Sequence, residues 1–299
     1  MQNIGVCCPG GGALCSAQAG GLKALYEWLS LRGLKPRAVR GASGGDLNSS
    51  IFVQAFADHG ESITTMEHMW KTISHRKVHT LVPHIYPRTT GLFKLTPLKR
   101  LLQRVLDVDK LVASGVDYSV KATQYGLAPD VEVLPQNSVF FDMMVASASY
   151  PFMFRPVKIW GSYFGDSGIN NNVPINRLIA AGCETIIIVR PYPRVQSSKP
   201  VKSVRMFTLG FSILGELMNA QLDAQISEVE HINQMVAAGL ISGKRKIRLM
   251  ELAPAFEPDL GVMEFRASKC AVAFDAGYRS ARLLLKACPQ SEISDSSKS

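Results

Sequence analysis

A serine set among glycines, Gly41-Ala42-Ser43-Gly44-Gly45, has the residue types that acyl transfer needs. A serine hydroxyl is a weak nucleophile. It needs a base within hydrogen-bond reach and donors for the negative charge that develops on the attacked oxygen. The spacing Gly-x-Ser-x-Gly fits a nucleophile elbow, a sharp turn between a strand and a helix, in which Gly41 and Gly45 leave room for the turn and the substrate. The helix start behind Ser43 offers unpaired N–H groups and the positive end of a dipole. Two other stretches offer the remaining parts. Gly10-Gly11-Gly12 can turn backbone N–H groups toward an oxyanion, and Asp166, in Gly165-Asp166-Ser167-Gly168, is a candidate base. Taken singly, each of the three also fits a plain turn. The glycine run lacks the Gly-Lys-Ser/Thr of a phosphate loop, and Cys15 stands where a dinucleotide loop needs its last glycine.

The elements that must position these residues are legible as alternating runs. Asn3 to Cys8 and Ala38-Val39 read as strands ahead of the glycine loop and the serine. Ala13 to Leu31, with Leu22, Leu25, Trp28 and Leu29 on one face, reads as a helix, as do Leu47 to Ala57, Ser62 to Ile73 and Pro97 to Leu106. Val78 to Thr96 reads as an irregular, partly apolar excursion. Val116 to Thr123 and Val131 to Leu134 are expected strands, separated by a turn. Ser138 to Ser147 is an expected helix, Tyr150 to Pro156 a loop, and Lys158 to Phe164 a hairpin leading to Asp166. Ile175 to Ala181 reads as a helix and the β-branched run Thr185 to Val189 as a strand buried on both faces. A long helix over Val204 to Leu240, a strand over Ile247 to Leu252 and a helix over Ser268 to Ala287 follow. This alternation predicts an α/β fold with a mostly parallel sheet. The chain has no internal repeat. We expect one domain over residues 1–288 and a disordered polar tail over 289–299.

Composition narrows the function classes. The 299 residues are 46% hydrophobic, enough for a large core. No apolar run is long enough to cross a bilayer, and the N-terminus lacks a signal-peptide pattern, so a cytoplasmic protein, peripheral on membranes, is expected. Six cysteines without paired Cys-x-x-Cys motifs or nearby histidines predict reduced thiols and no zinc site. The net charge of +9 is uneven. Residues 71–110 carry nine basic side chains against two acidic ones, interleaved with Leu81, Val82, Ile85, Tyr86, Leu92 and Phe93. Arg190, Arg194, Lys199, Lys202 and Arg205 form a second basic stretch. Such patches suit anionic partners, phospholipid surfaces among them. No nucleic-acid-binding motif accompanies the charge, so no nucleic-acid partner is expected.

The three stretches, taken together and in this order, resemble the patatin-like phospholipase family. The resemblance is carried by GGGALCSAQAGGLKAL, by the Gly-x-Ser-x-Gly elbow, by VASASYPFMFRPVKIWGSYFGDSG, and by GDSGINNNVPI with Asn172 and Pro174 in place; it spans residues 3 to 288. It implies a three-layer α/β/α fold and a serine lipid acyl hydrolase of phospholipase A or lysophospholipase type, with no metal or organic cofactor. It implies a Ser43–Asp166 dyad, an acyl-enzyme on Ser43 and an oxyanion hole at Gly10, Gly11 and Gly12, with Gly168 closing the Asp-x-Gly turn. A carboxylate with a pKa near the usual ~4 is a poor base, so the dyad is expected to work mainly through positioning.

This sequence departs from the family pattern at three positions. Leu14 stands where a cation is usual, Cys15 where a glycine is usual, and Ser167 in the middle of the Asp-Gly turn. They leave two alternatives. One is a lipid- or partner-binding protein of weak activity, against which the intact Ser43 and Asp166 argue. The other is a Ser43…Asp166…His231 triad, against which His231, inside a helical run, argues.

Overall fold

The computed structural model describes residues 3–82, 90–126, 130–194, 206–256 and 259–287, with 206–214 described by backbone alone. The expected tail at 289–299 and part of the 78–96 excursion lie outside these residues.

Five parallel strands form the central sheet in the order β12 (Arg248–Leu252), β11 (Thr185–Val189), β1 (Ile4–Cys8), β2 (Ala38–Gly41) and β5 (Asp117–Tyr118). Successive side chains of a strand point to opposite faces, and here both faces are covered. Ile4, Val6 and Cys8 of β1 and Ile187 and Val189 of β11 join one apolar core, with α1 (Cys15–Ser30), α2 (Gly44–Gln54), α3 (Glu61–Lys71) and α11 (Ala267–Ala287). Cys7, Ile186 and Ile188 join a second core, under α9 (Ile175–Ala180) and α10 (Met206–Ala237). The molecule is thus a three-layer α/β/α fold, as expected. Among the described residues no helix is long and apolar enough to cross a membrane.

Two small sheets sit beside this frame. An antiparallel sheet in the order β7 (Asp130–Val133), β6 (Val120–Gln124), β10 (Ser162–Gly165) and β9 (Val157–Ile159) carries the chain into Asp166. The other joins β3 (Thr80–Leu81), β4 (Gly91–Lys94) and β8 (Phe152–Phe154). The expected loop at Tyr150 to Pro156 therefore contains a strand, made by pairing with the distant β4. Short helices fill the connections: α4 (His75–Val78), α5 (Thr96–Val105), α6 (Val108–Ala113), α7 (Phe140–Ser147) and α8 (Gly168–Asn171).

Candidate active site

Ser43 stands between β2 and α2 with φ 51° and ψ −127°. A serine rarely adopts positive φ, and such strain persists only where the surroundings impose it. They do so here. A Cβ on Gly45 would lie 2.0 Å from the Cys8 carbonyl oxygen, and one on Gly41 would lie 2.6 Å from the Asp46 nitrogen. The two glycines let the helix start pass close under β1 and β2, and the tight passage throws Ser43 outward. The helix begins at Gly44, three residues earlier than its apolar spacing suggests.

The Ser43 hydroxyl donates to Asp166 Oδ2 at 2.7 Å. Both residues are buried, 123 positions apart in the chain. Asp166 leaves β10 and precedes α8, where the Gly168 amide donates to its Oδ1 at 2.7 Å. This turn is well anchored. Lys121, itself buried, donates to the Asn171 carbonyl at 2.6 Å, and Gln225 donates to Asn171 Oδ1 at 2.9 Å. Burial pushes the Asp166 carboxyl up to about 7, against the lowering effect of the Ser43 and Gly168 bonds and of Lys121. The expectation of an ordinary carboxylate is thereby corrected. Water is excluded from the charged form, and the group is poised near neutrality, where a general base works best.

Ser167 sits in the right-handed helical region, with φ −70° and ψ −21°, so the turn does not require a glycine there. Its hydroxyl belongs to a buried cluster instead. Ser167 Oγ lies 3.0 Å from Ser147 Oγ, and the Ser43 amide points at both, at 3.4 and 3.2 Å. Ser147 donates in turn to Asp46 Oδ2 at 2.6 Å. Asp46 lies in the first turn of α2, fully buried, and burial pushes its carboxyl up to about 7. None of Asp46, Ser147 and Ser167 was assigned a role from sequence. The one available signal was the position of Asp46, three residues after the serine.

The glycine loop leaves β1 and reaches Ser43 from the other side. The Gly10 amide donates to Asn172 Oδ1 at 2.9 Å, and a Cβ on Gly10 would lie 2.9 Å from that of Ser43. Buried amides hold the loop from below. Trp70 donates to Asn48, Asn48 to Gln18, and Gln18 to the Pro9 carbonyl, at 2.8, 2.9 and 2.8 Å. Ala13 donates to the Val262 carbonyl at 2.7 Å, pinning the loop to the segment before α11. Leu14 packs against both cores. Cys15 is fully buried against Gly44, and burial raises its thiol pKa, so it stays neutral.

An apolar cleft opens at the serine. Gly12, Ser43, Gly44 and Asp166 stand at its head, and Leu47, Met69, Trp70, Leu98, Leu102 and Phe265 are among the side chains along its walls. Among the described residues no histidine hydrogen-bonds to Ser43 or Asp166, and His231 is exposed on α10. The arrangement therefore presents a serine hydroxyl and a desolvated carboxylate at the head of an apolar cleft.

No curated protein matches this chain. A profile of the patatin-like phospholipase family matches residues 6–179, from β1 through Ser43 and Asp166 to α9. On that match over more than half its length, the chain belongs to the patatin-like phospholipase family, a family of lipid acyl hydrolases.

Proposed function

We propose that the protein cleaves acyl esters of phospholipids or lysophospholipids through a Ser43–Asp166 dyad. The observation that carries this reading is the 2.7 Å bond from the Ser43 hydroxyl to Asp166 at the head of an apolar cleft. In the first step Asp166 takes the hydroxyl proton as Ser43 Oγ attacks the ester carbonyl carbon. The tetrahedral oxyanion is held by backbone amides of the glycine loop and the helix start; Gly12 and Gly44 line the cleft, while Gly10 spends its amide on Asn172. Collapse breaks the ester C–O bond, and Asp166 returns the proton to the departing alcohol. Water, deprotonated by Asp166, then attacks the acyl carbon; the bond to Ser43 Oγ breaks, Asp166 returns the proton to Oγ, and the fatty acid leaves. The acyl chain lies in the cleft, where each buried methylene contributes about 0.8 kcal/mol.

The reading treats residues 1–288 as one catalytic unit, because β11 and β12 complete the sheet and α11 packs against α1. Five described cysteines are free and buried, which supports residence in a reducing compartment. Association with the substrate bilayer is peripheral and transient, drawn by the basic segment 71–110 toward anionic lipid. A fluorophosphonate probe tests the mechanism. The wild type should label and Ser43→Ala should not. Asp166→Asn should lose ester hydrolysis by several orders of magnitude while keeping its fold. Labelling retained in Ser43→Ala, or a His231→Ala that is inactive at normal stability, would refute the dyad.

A further inference from the structure

Part of the positive charge in residues 71–110 is already answered. Lys71 pairs with Glu67 and Asp275, Lys99 with Asp142, and Lys110 with Asp58. Four of the remaining basic residues gather in one groove between α3, α4 and α5. Arg76 and Lys77 face it from α4, and Arg100 and Arg104 from α5. Among the described residues no carboxylate lines it. Among the described residues its three arginines have no ion-pair partner. Arg100 and Arg104 stand one helical turn apart, exposed, while Leu98 and Leu102 on the same helix are buried. Like charges at that spacing repel, and a bound anion would relieve them. Lys77 is already oriented, since its Nζ donates to the carbonyl and hydroxyl of Thr72 at 2.8 and 3.1 Å.

We infer that this groove binds the phosphomonoester headgroup of a membrane lipid other than the one being cleaved. Guanidinium groups present a planar fork that matches phosphate oxygens two at a time, and three of them facing one groove suit a dianionic or multiply phosphorylated group better than a single diester. Two features assign the anion to a membrane and not to solution. Met69 and Leu101 line the groove and the acyl cleft alike, so a lipid surface at the groove is also at the cleft. Leu81, next to Thr80 on the groove's edge, is 60% exposed, an apolar side chain placed to enter the lipid interface. The inference rests on the peripheral membrane contact proposed above and gives it a saturable site with a headgroup preference.

Cosedimentation of the full chain with phosphatidylcholine vesicles tests it. One set carries a multiply phosphorylated phosphoinositide; the other carries phosphatidylserine to the same surface charge. The wild type should bind the first set about tenfold tighter. R100K/R104K keeps the charge and loses the fork, so it should bind the two sets within about threefold of each other. R100E/R104E should lose the phosphoinositide vesicles by about tenfold or more, and both variants should hydrolyse a soluble ester within about twofold of wild type. A wild type that binds neither set would overturn the membrane contact and the groove together. A wild type that binds both sets alike would leave the membrane contact standing and overturn the phosphate site. Soluble inositol polyphosphate that binds as tightly as the vesicles would overturn the lipid as its occupant.

Discussion

Two buried carboxylates, Asp46 and Asp166, share the space behind Ser43; burial raises both, and the charge of Asp166 adds a smaller upward push on Asp46. The base of the proposed mechanism must be ionised, and burial holds Asp166 up to about 7. Hydrolysis of a soluble ester should therefore rise through neutral pH. Asp46→Asn removes a repelling charge and should move the midpoint of that rise to lower pH; an unmoved midpoint would show that the two carboxyls do not interact. The same shifts bear on stability. Between the ordinary aspartate value and about 7 the folded protein holds protons that the unfolded chain has released, so stability falls as pH rises through that window. Asp46→Asn should flatten this fall, as melts at pH 5 and pH 8 would read. Ser147→Ala leaves a buried Asp46 oxygen without its donor and should cost about 1–3 kcal/mol in denaturant unfolding. Ser43 and Asp166 were legible in the sequence because each lies in a short motif whose spacing is its meaning. Asp46, Ser147 and Ser167 were not. Each resembles an ordinary helix or turn residue, and the contacts joining Ser147 to the other two span 101 and 20 positions.

At the scale of elements, local signals gave way wherever pairing was remote. From sequence β8 reads as a loop, because three residues between Pro151 and Pro156 look like one and the partner of Phe152, Gly91, is sixty-one positions earlier. Phe152 within it takes φ 66° with 84% of its surface exposed, a conformation no propensity would assign to phenylalanine. The pairing of α1 with α11 was equally hidden, although both helices were expected. Here the two backbones nearly touch. A Cβ on Gly277 would lie 1.9 Å from the Ala17 carbonyl oxygen, and one on Gly20 would lie 2.0 Å from that of Phe274. Gly277→Val should therefore force the helices apart and cost about 1–3 kcal/mol, lowering the melting temperature. An unchanged melt would mean that the helices separate freely.

For the molecule as a whole, net charge is a poor guide to its working surface. Of the second basic stretch, Arg190 is buried between Asp223 and Glu251, and Arg194 also reaches Glu251, so this part of the patch is internal wiring. Lys199, Lys202 and Arg205 lie outside the described residues. Arg190→Ala should reduce stability, with a ceiling of about 3–5 kcal/mol because Glu251 keeps Arg194, and should leave vesicle binding unchanged. Binding of the parent to anionic vesicles should weaken steeply with salt, as the Debye length shrinks to about 3 Å at 1 M. Salt-insensitive binding would mean that apolar insertion, and not charge, holds the protein to its membrane.

The bond from Ala13 to Val262 has a temporal consequence. During synthesis, Ser43 and Asp166 leave the ribosome long before Val262, Met263 and Phe265, which close the cleft and pin the glycine loop. β12 and α11, which complete the sheet and brace α1, also emerge late. A chain made only as far as α9 thus carries Ser43 and Asp166 with one side of the cleft still open, because Met218, Val262, Met263 and Phe265 have yet to emerge. On the proposed reading, hydrolysis of a lipid waits until the chain through α11 has emerged and folded back onto α1.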